Sequence, residues 1–180
     1  MTTSTKPSVG LAEYVRVALF LSAFSIALGF LTRESMQGQI EAARIIAPAG
    51  GMVALTAVVW LLMVIVRNAT ILRGVTNAHY FKDYRASITP PEWVERPART
   101  FNNLFQVPML FYVVCLFMLG TGELDEAQLA LAWTYVGVRT LHAVVYIGWN
   151  YVPYRFAVWI ASCITLGVLW FRFVSHHVSS

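Results

Sequence analysis

An all-α integral membrane bundle is the fold class this sequence predicts, and three observations carry it. Hydrophobic residues make up 58% of the chain and charged residues only 12%, with a mean hydropathy of +0.62, far from the soluble average. Five apolar stretches, residues 11–32, 47–73, 101–120, 127–149 and 152–174, approach or exceed the roughly 20 residues that a helix needs to cross a bilayer. None of them alternates with a period of two, which excludes a strand reading. Open backbone cannot be satisfied in lipid, so helices follow.

The first stretch, VRVALFLSAFSIALGFLT after Lys6 and Arg16, has the charge-then-apolar layout of a signal peptide. Its apolar run is long, however, and Thr32-Arg33-Glu34 is a poor cleavage site, so it is read as an uncleaved extra helix. Residues 33–44, RESMQGQIEAAR, form a polar, helix-prone segment expected at the outer surface. Arg67, Arg73, Lys82, Arg85, Arg96 and Arg99 flank the loop 74–98, whereas the turn 121–126 carries Glu123, Asp125 and Glu126. By the positive-inside rule the basic loop and the N-terminus are cytoplasmic, and the acidic turn and the C-terminus are outside. Pro108 has no N–H for the Leu104 carbonyl and is expected to kink the third span. Asp125 followed by Gln128 has the spacing of a capping box and sets the start of the fourth.

Other function classes find little here. The net charge of +4 is distributed at membrane edges, so nothing points to nucleic acid. Cys115 and Cys163 fall mid-span, where a thiol behaves as a small hydrophobe, and no CxxC spacing suggests a disulfide framework or zinc. Trp60, Trp93, Tyr112, Trp133, Trp149, Tyr151 and Trp170 are read as interfacial belts, and Tyr80 and Tyr84 as headgroup contacts in the loop. No repeat or low-complexity tract appears.

A charged side chain in a span costs about 2.5 to 3.5 kcal/mol, so each one requires a partner or a purpose. On a continuous helix Arg99, Asn103 and Gln106 fall at i, i+4 and i+7, one face, with Arg96 a turn earlier. Arg139, His142 and Tyr146 fall at i, i+3 and i+7 on the fourth span, and Arg155 opens the fifth at the same level. Arg67, Arg73, Arg85 and Arg172 are read as snorkelling to phosphates. For the two stripes, a polar ligand site and interhelical structural hydrogen bonds both stand as readings. With no Asp or Glu facing them inside the spans, the arginines suit an anionic or carboxylate-bearing ligand.

With these residues in hand, the sequence resembles the MAPEG family, the membrane-associated proteins in eicosanoid and glutathione metabolism. RTFNNLFQVP is similar to the family's Arg-Ala-x-x-x-Asn-x-x-Glu stripe, and RTLHAVVYIGWNYVPYR to the Arg-x-x-His-x-x-x-Tyr stripe and downstream Arg of its prostaglandin E synthase branch. The resemblance implies a four-helix membrane domain over residues 47–180, with residues 1–46 as an N-terminal extension carrying one additional helix. It further implies a bacterial-type member in an inner membrane, a homotrimer, and glutathione held by Arg99, Asn103, Gln106, Arg139, His142 and Tyr146. Arg155 is the implied catalytic residue, stabilising the thiolate, and lipophilic electrophiles or lipid hydroperoxides are the implied partners. Gln106 stands where the family has an acidic residue, Thr100 where it has alanine, and Phe156 where the synthase branch has serine.

Two further classes compete with a glutathione transferase or peroxidase. One is a non-catalytic lipid-binding or scaffold protein, which Gln106 favours and Arg155 disfavours. The other is a haem or metal protein, for which His79, His142, His176 and His177 are available. Only His142 lies within a span as read from the sequence, and a bis-histidine haem needs two facing ligands at matched depth. No metal site is assigned.

Overall fold

The computed structural model describes residues 11–34, 40–75, 80–81 and 90–178. Its helices are α1 (Leu11–Glu34), α2 (Ile46–Leu72), α3 (Glu92–Leu104), α4 (Pro108–Thr121), α5 (Glu126–Ile147) and α6 (Val152–Val178), with a short 3-10 turn, Ala42–Ile45, leading into α2. No strand occurs among the described residues. Among the described residues four runs are long and apolar enough to cross a membrane: Leu11–Thr32, Ala42–Leu72, Glu92–Thr121 and Val152–His176. The expected span at 127–149 is not one of the four. Gln128, Arg139 and His142 lower the hydropathy of α5, and all three are buried, because α5 packs against α1, α2, α3 and α6 in the interior of the bundle.

The third span begins earlier than the sequence suggests and breaks sooner. After Pro90-Pro91 the chain turns helical at Glu92, with Glu92 and Glu95 in a first turn where the helix dipole favours acids. Pro108 then does more than kink: α3 stops at Leu104, residues 105–107 form a turn, and Pro108 restarts the helix at its first position. The proline ring would clash with the Leu104 carbonyl and cannot donate to it, so the continuous i, i+4, i+7 face ends at Asn103. Gln106 is left exposed in the break.

α1 is docked rather than loose. Glu13, Val17, Leu21, Phe24, Leu28 and Leu31 are its shielded positions, spaced as one helical stripe, and that stripe faces α6 and α5. Gly51 lets α2 approach α5, since a Cβ there would stand 3.3 Å from the Val136 side chain. Phe111 of α4 stacks on Tyr135 of α5 with ring centroids 4.6 Å apart, among the fully buried Met52, Met118, Leu131 and Leu169. Around this core Val53, Val58, Leu61, Ile65 and Leu116 point outward, as a lipid-facing surface requires.

Polar clamps tie the two ends. At one end Arg172 of α6 pairs with Asp125 at 2.9 Å and donates to the Thr32 carbonyl of α1 at 3.3 Å, while Ile40 N–H donates to the Leu124 carbonyl at 2.9 Å. Arg172 is therefore not the snorkelling arginine of the sequence reading; its partner lies 47 residues away. Arg67 likewise places its guanidinium 4.9 Å from the Phe81 ring. At the other end Arg96 donates to the Gly148 carbonyl, and Asn150 Nδ2 donates to Glu92 Oε1 at 2.6 Å. His79, Tyr84 and Arg85, with residues 35–39, 76–79 and 82–89 of the 33–44 and 74–98 segments, lie outside the described residues.

Asp125 carries two duties, since it also caps α5: its Oδ1 accepts from Gln128 N–H at 2.6 Å and Gln128 Oε1 accepts from Asp125 N–H at 2.9 Å. Asp125→Ala removes cap and ion pair together, and Asp125→Asn keeps the cap. Thermal unfolding in detergent should show Asp125→Ala lowered by about 2–6 °C and Asp125→Asn lowered by less, each kcal/mol being worth roughly 2–4 °C at this size. Equal midpoints for the two variants would contradict the double role.

Candidate functional site

The capping box sets the rotation of α5, and everything polar on that helix follows from it. Tyr135, Arg139, His142 and Tyr146 fall at i, i+4, i+7 and i+11, a single stripe turned toward α3 and the start of α6. Arg139 has no exposed surface. Its Nε donates to Tyr135 Oη at 3.1 Å and its Nη1 to Asn103 Oδ1 at 3.0 Å, and its Nη2 has no hydrogen-bond partner. No carboxylate among the described residues pairs with it. A buried guanidinium held by neutral groups alone, with one donor nitrogen unused, is costly to keep and creates a field that favours a nearby anion.

The turn between α5 and α6 positions Arg155. Asn150 adopts a left-handed φ of 48°, which asparagine tolerates better than most residues. Its Oδ1 accepts from Arg155 Nη1 at 2.7 Å while its Nδ2 holds Glu92, so one side chain couples α3 to the start of α6. The Arg155 guanidinium also lies 4.4 Å from the centroid of the Tyr146 ring, a cation–π contact. Tyr146 in turn meets the His142 ring edge-on at 5.8 Å. Pro153 sits in the first turn of α6, where its missing N–H costs nothing.

Asn103, His142, Tyr146 and Arg155 open onto one cavity of about 450 Å³, whose other walls are Tyr14 of α1 and Val152, Pro153, Phe156 and Trp159 of α6. The volume is that of a small-molecule site. Of the sequence-selected residues, these four line the cavity together. Arg139 stands behind them and reaches the cavity through Asn103. Arg99 and Gln106 do not line it; both are exposed, Arg99 on α3 and Gln106 in the α3–α4 break.

Sequence reasoning missed Tyr14, Trp159, Asn150 and Tyr135. Tyr135 had a signal, one helical turn before Arg139 on the same stripe. Asn150 lies inside the quoted NYVPYR segment. A second groove of similar volume, almost wholly apolar, opens on the far side of the break between Val53, Trp60, Phe101, Phe105 and Tyr112. Both cysteines are free thiols, and no group of three His, Cys, Asp or Glu side chains among the described residues could hold a metal ion.

The Asn150 backbone yields a stability ordering. Asn150→Gly suits the positive φ but loses both side-chain bonds, whereas Asn150→Ala loses the bonds and adds roughly 1 kcal/mol of backbone strain. Thermal midpoints should rank wild type, then glycine, then alanine. An alanine variant as stable as the glycine one would contradict the conformational reading.

No curated protein and no solved structure matches this sequence. The model of the MAPEG family matches residues 45–175, from the turn before α2 to near the end of α6. Those residues include the three helices, α3, α5 and α6, that carry the polar cavity lining, and they hold three of the four membrane-length apolar runs found among the described residues almost entirely. The chain is therefore an integral membrane protein that belongs to the MAPEG family.

Proposed function

We propose that this protein is a membrane-bound, glutathione-dependent transferase or peroxidase acting on lipophilic electrophiles or lipid hydroperoxides. The observation that carries the reading is the cavity's polar lining: Asn103, His142, Tyr146 and Arg155 converge from three helices, and no carboxylate among the described residues lines it. A donor set of this kind complements an anionic peptide thiol. The unused Nη2 of buried Arg139 fits the same ligand class, because the guanidinium lacks a counter-charge that an anion would supply. Family membership supports glutathione as that ligand.

Glutathione, when bound, supplies a thiol whose sulfur can form a C–S bond with an electrophilic carbon or reduce a hydroperoxide. The chain's own part is to raise the thiolate fraction. The Arg155 guanidinium, placed beside a thiol of reference pKa near 8.5, favours the nucleophilic thiolate. Asn150 and the Tyr146 ring fix where that charge sits, so no reorganisation is needed when charge develops. His142 and Tyr146 add hydrogen-bonding capacity at the cavity wall, and Arg139 orients Asn103. Burial of the site within the bundle strengthens each of these interactions.

The proposal includes a homotrimer in a bacterial inner membrane, with residues 47–180 as the four-helix unit and residues 1–46 as an extension. Arg99 and Gln106, exposed on one protomer, would join a glutathione site only across a subunit boundary. A second reading, a non-catalytic lipid-binding or scaffold protein, is favoured by the apolar groove at the α3–α4 break and by Gln106 in place of an acid.

The two are separated by the ultraviolet absorbance of bound thiolate and the pH–rate profile with 1-chloro-2,4-dinitrobenzene. In the wild type the rate should rise with pH through an inflection below about 8.5, since a depressed thiol pKa moves thiolate formation to lower pH. Arg155→Ala should move the inflection to about 8.5 or above and lower kcat/KM by about 10²- to 10³-fold. Absence of thiolate and turnover in folded wild-type protein would favour the scaffold reading.

A further inference from the structure

One wall of the cavity lies outside the residues that the family model matches. The match covers residues 45–175, whereas Tyr14 belongs to α1 and lines the cavity with Phe156 and Trp159 of α6. α1 is held there by its Val17–Leu28 stripe and by Glu13, which sits beside Tyr151 just before α6. Tyr14 is the fourth residue of α1 and Phe156 the fifth of α6, and the helices start at the same end, so the two rings are level. Tyr14 is 63% and Phe156 53% exposed, whereas His142 at the cavity wall is 3% exposed. Polarity therefore changes across the cavity, from a buried hydrogen-bonding side to an aromatic rim that opens between α1 and α6.

We propose that Tyr14, with Phe156 and Trp159, forms the subsite for the apolar tail of the lipophilic co-substrate, so that the added helix α1 sets which chain lengths react. The proposal rests on the glutathione-dependent reading above. A polar peptide gains little from three aromatic rings, but an alkyl chain buries apolar area against them. The rim's place near the start of both helices suits an amphipathic molecule whose reactive head reaches Arg155 while its tail stays toward the hydrocarbon. The occupant is thus an alkyl chain bearing an electrophilic head, entering laterally from the bilayer.

The test uses full-length protein in nanodiscs and trans-2-alkenals from four to nine carbons, with wild type, Tyr14→Ala and Tyr14→Phe. Tyr14 is largely exposed, so neither substitution should disturb folding, which thermal unfolding checks. Tyr14→Ala should raise KM for 2-nonenal about fivefold or more, each methylene being worth a factor of roughly four when buried. KM for 2-butenal and the calorimetric affinity for glutathione should change less than twofold, and Tyr14→Phe should resemble wild type. Independently of turnover, a fatty acid with a diazirine at its tail should label residues 14, 156 and 159, and less so in Tyr14→Ala.

Glutathione binding with a KM change that is uniform along the series, and label spread over the lipid-facing helices, overturns the subsite and leaves the transferase reading standing. Focused labelling at the three aromatics without glutathione binding keeps the subsite and rejects the thiol chemistry. Scattered labelling without glutathione binding rejects both and leaves Tyr14 an interfacial aromatic.

Discussion

A fully buried arginine without a carboxylate partner is the constraint around which this bundle is organised. Arg139 occupies the interior of α5, where a lone charge costs several kcal/mol, and among the described residues Tyr135 and Asn103 hold it. Those bonds dictate that α3 must lie beside α5 with Asn103 facing inward, and that Tyr135 must turn toward Arg139 while its ring stacks on Phe111 of α4. Stability alone would be served better by an apolar residue at 139. The guanidinium instead orients Asn103 at a cavity wall and adds positive potential behind it.

The polar cavity sits at one end of a bundle whose helices are fastened at both. Asp125, shared between the α5 cap and Arg172, fixes the far end. Asn150, shared between Glu92 and Arg155, fixes the near end. Each clamp uses one side chain for two purposes, so helix position and site geometry cannot vary independently. The cavity between them collects hydrogen-bond donors from α3, α5 and α6 and an aromatic rim from α1 and α6.

Much of this was legible in the sequence, and what was not has physical reasons. Arg139, His142 and Tyr146 could be placed on one face because they share an uninterrupted helix whose cap was also readable. Gln106 could not, because face arithmetic assumes continuity and Pro108 ends the helix before it. Arg172 resembled a snorkelling residue because its partner Asp125 is distant in sequence, and tertiary pairing leaves no local pattern. α1 showed its length and apolarity, but not which helices its stripe would meet, so Tyr14 went unseen. The expected span at 127–149 is helical but not apolar enough to stand with the four membrane-length runs, because Gln128, Arg139 and His142, which lower its hydropathy, are buried inside the bundle.

The most direct test of the central claim is glutathione calorimetry on nanodisc-embedded wild type beside Arg139→Gln and Arg99→Gln. The account predicts binding by wild type, a loss of about tenfold or more for Arg139→Gln, equivalent to roughly 1.4 kcal/mol, and a smaller change for exposed Arg99→Gln. Unchanged affinity in a folded Arg139→Gln protein would contradict it, because the buried guanidinium would then have no part in receiving the anion.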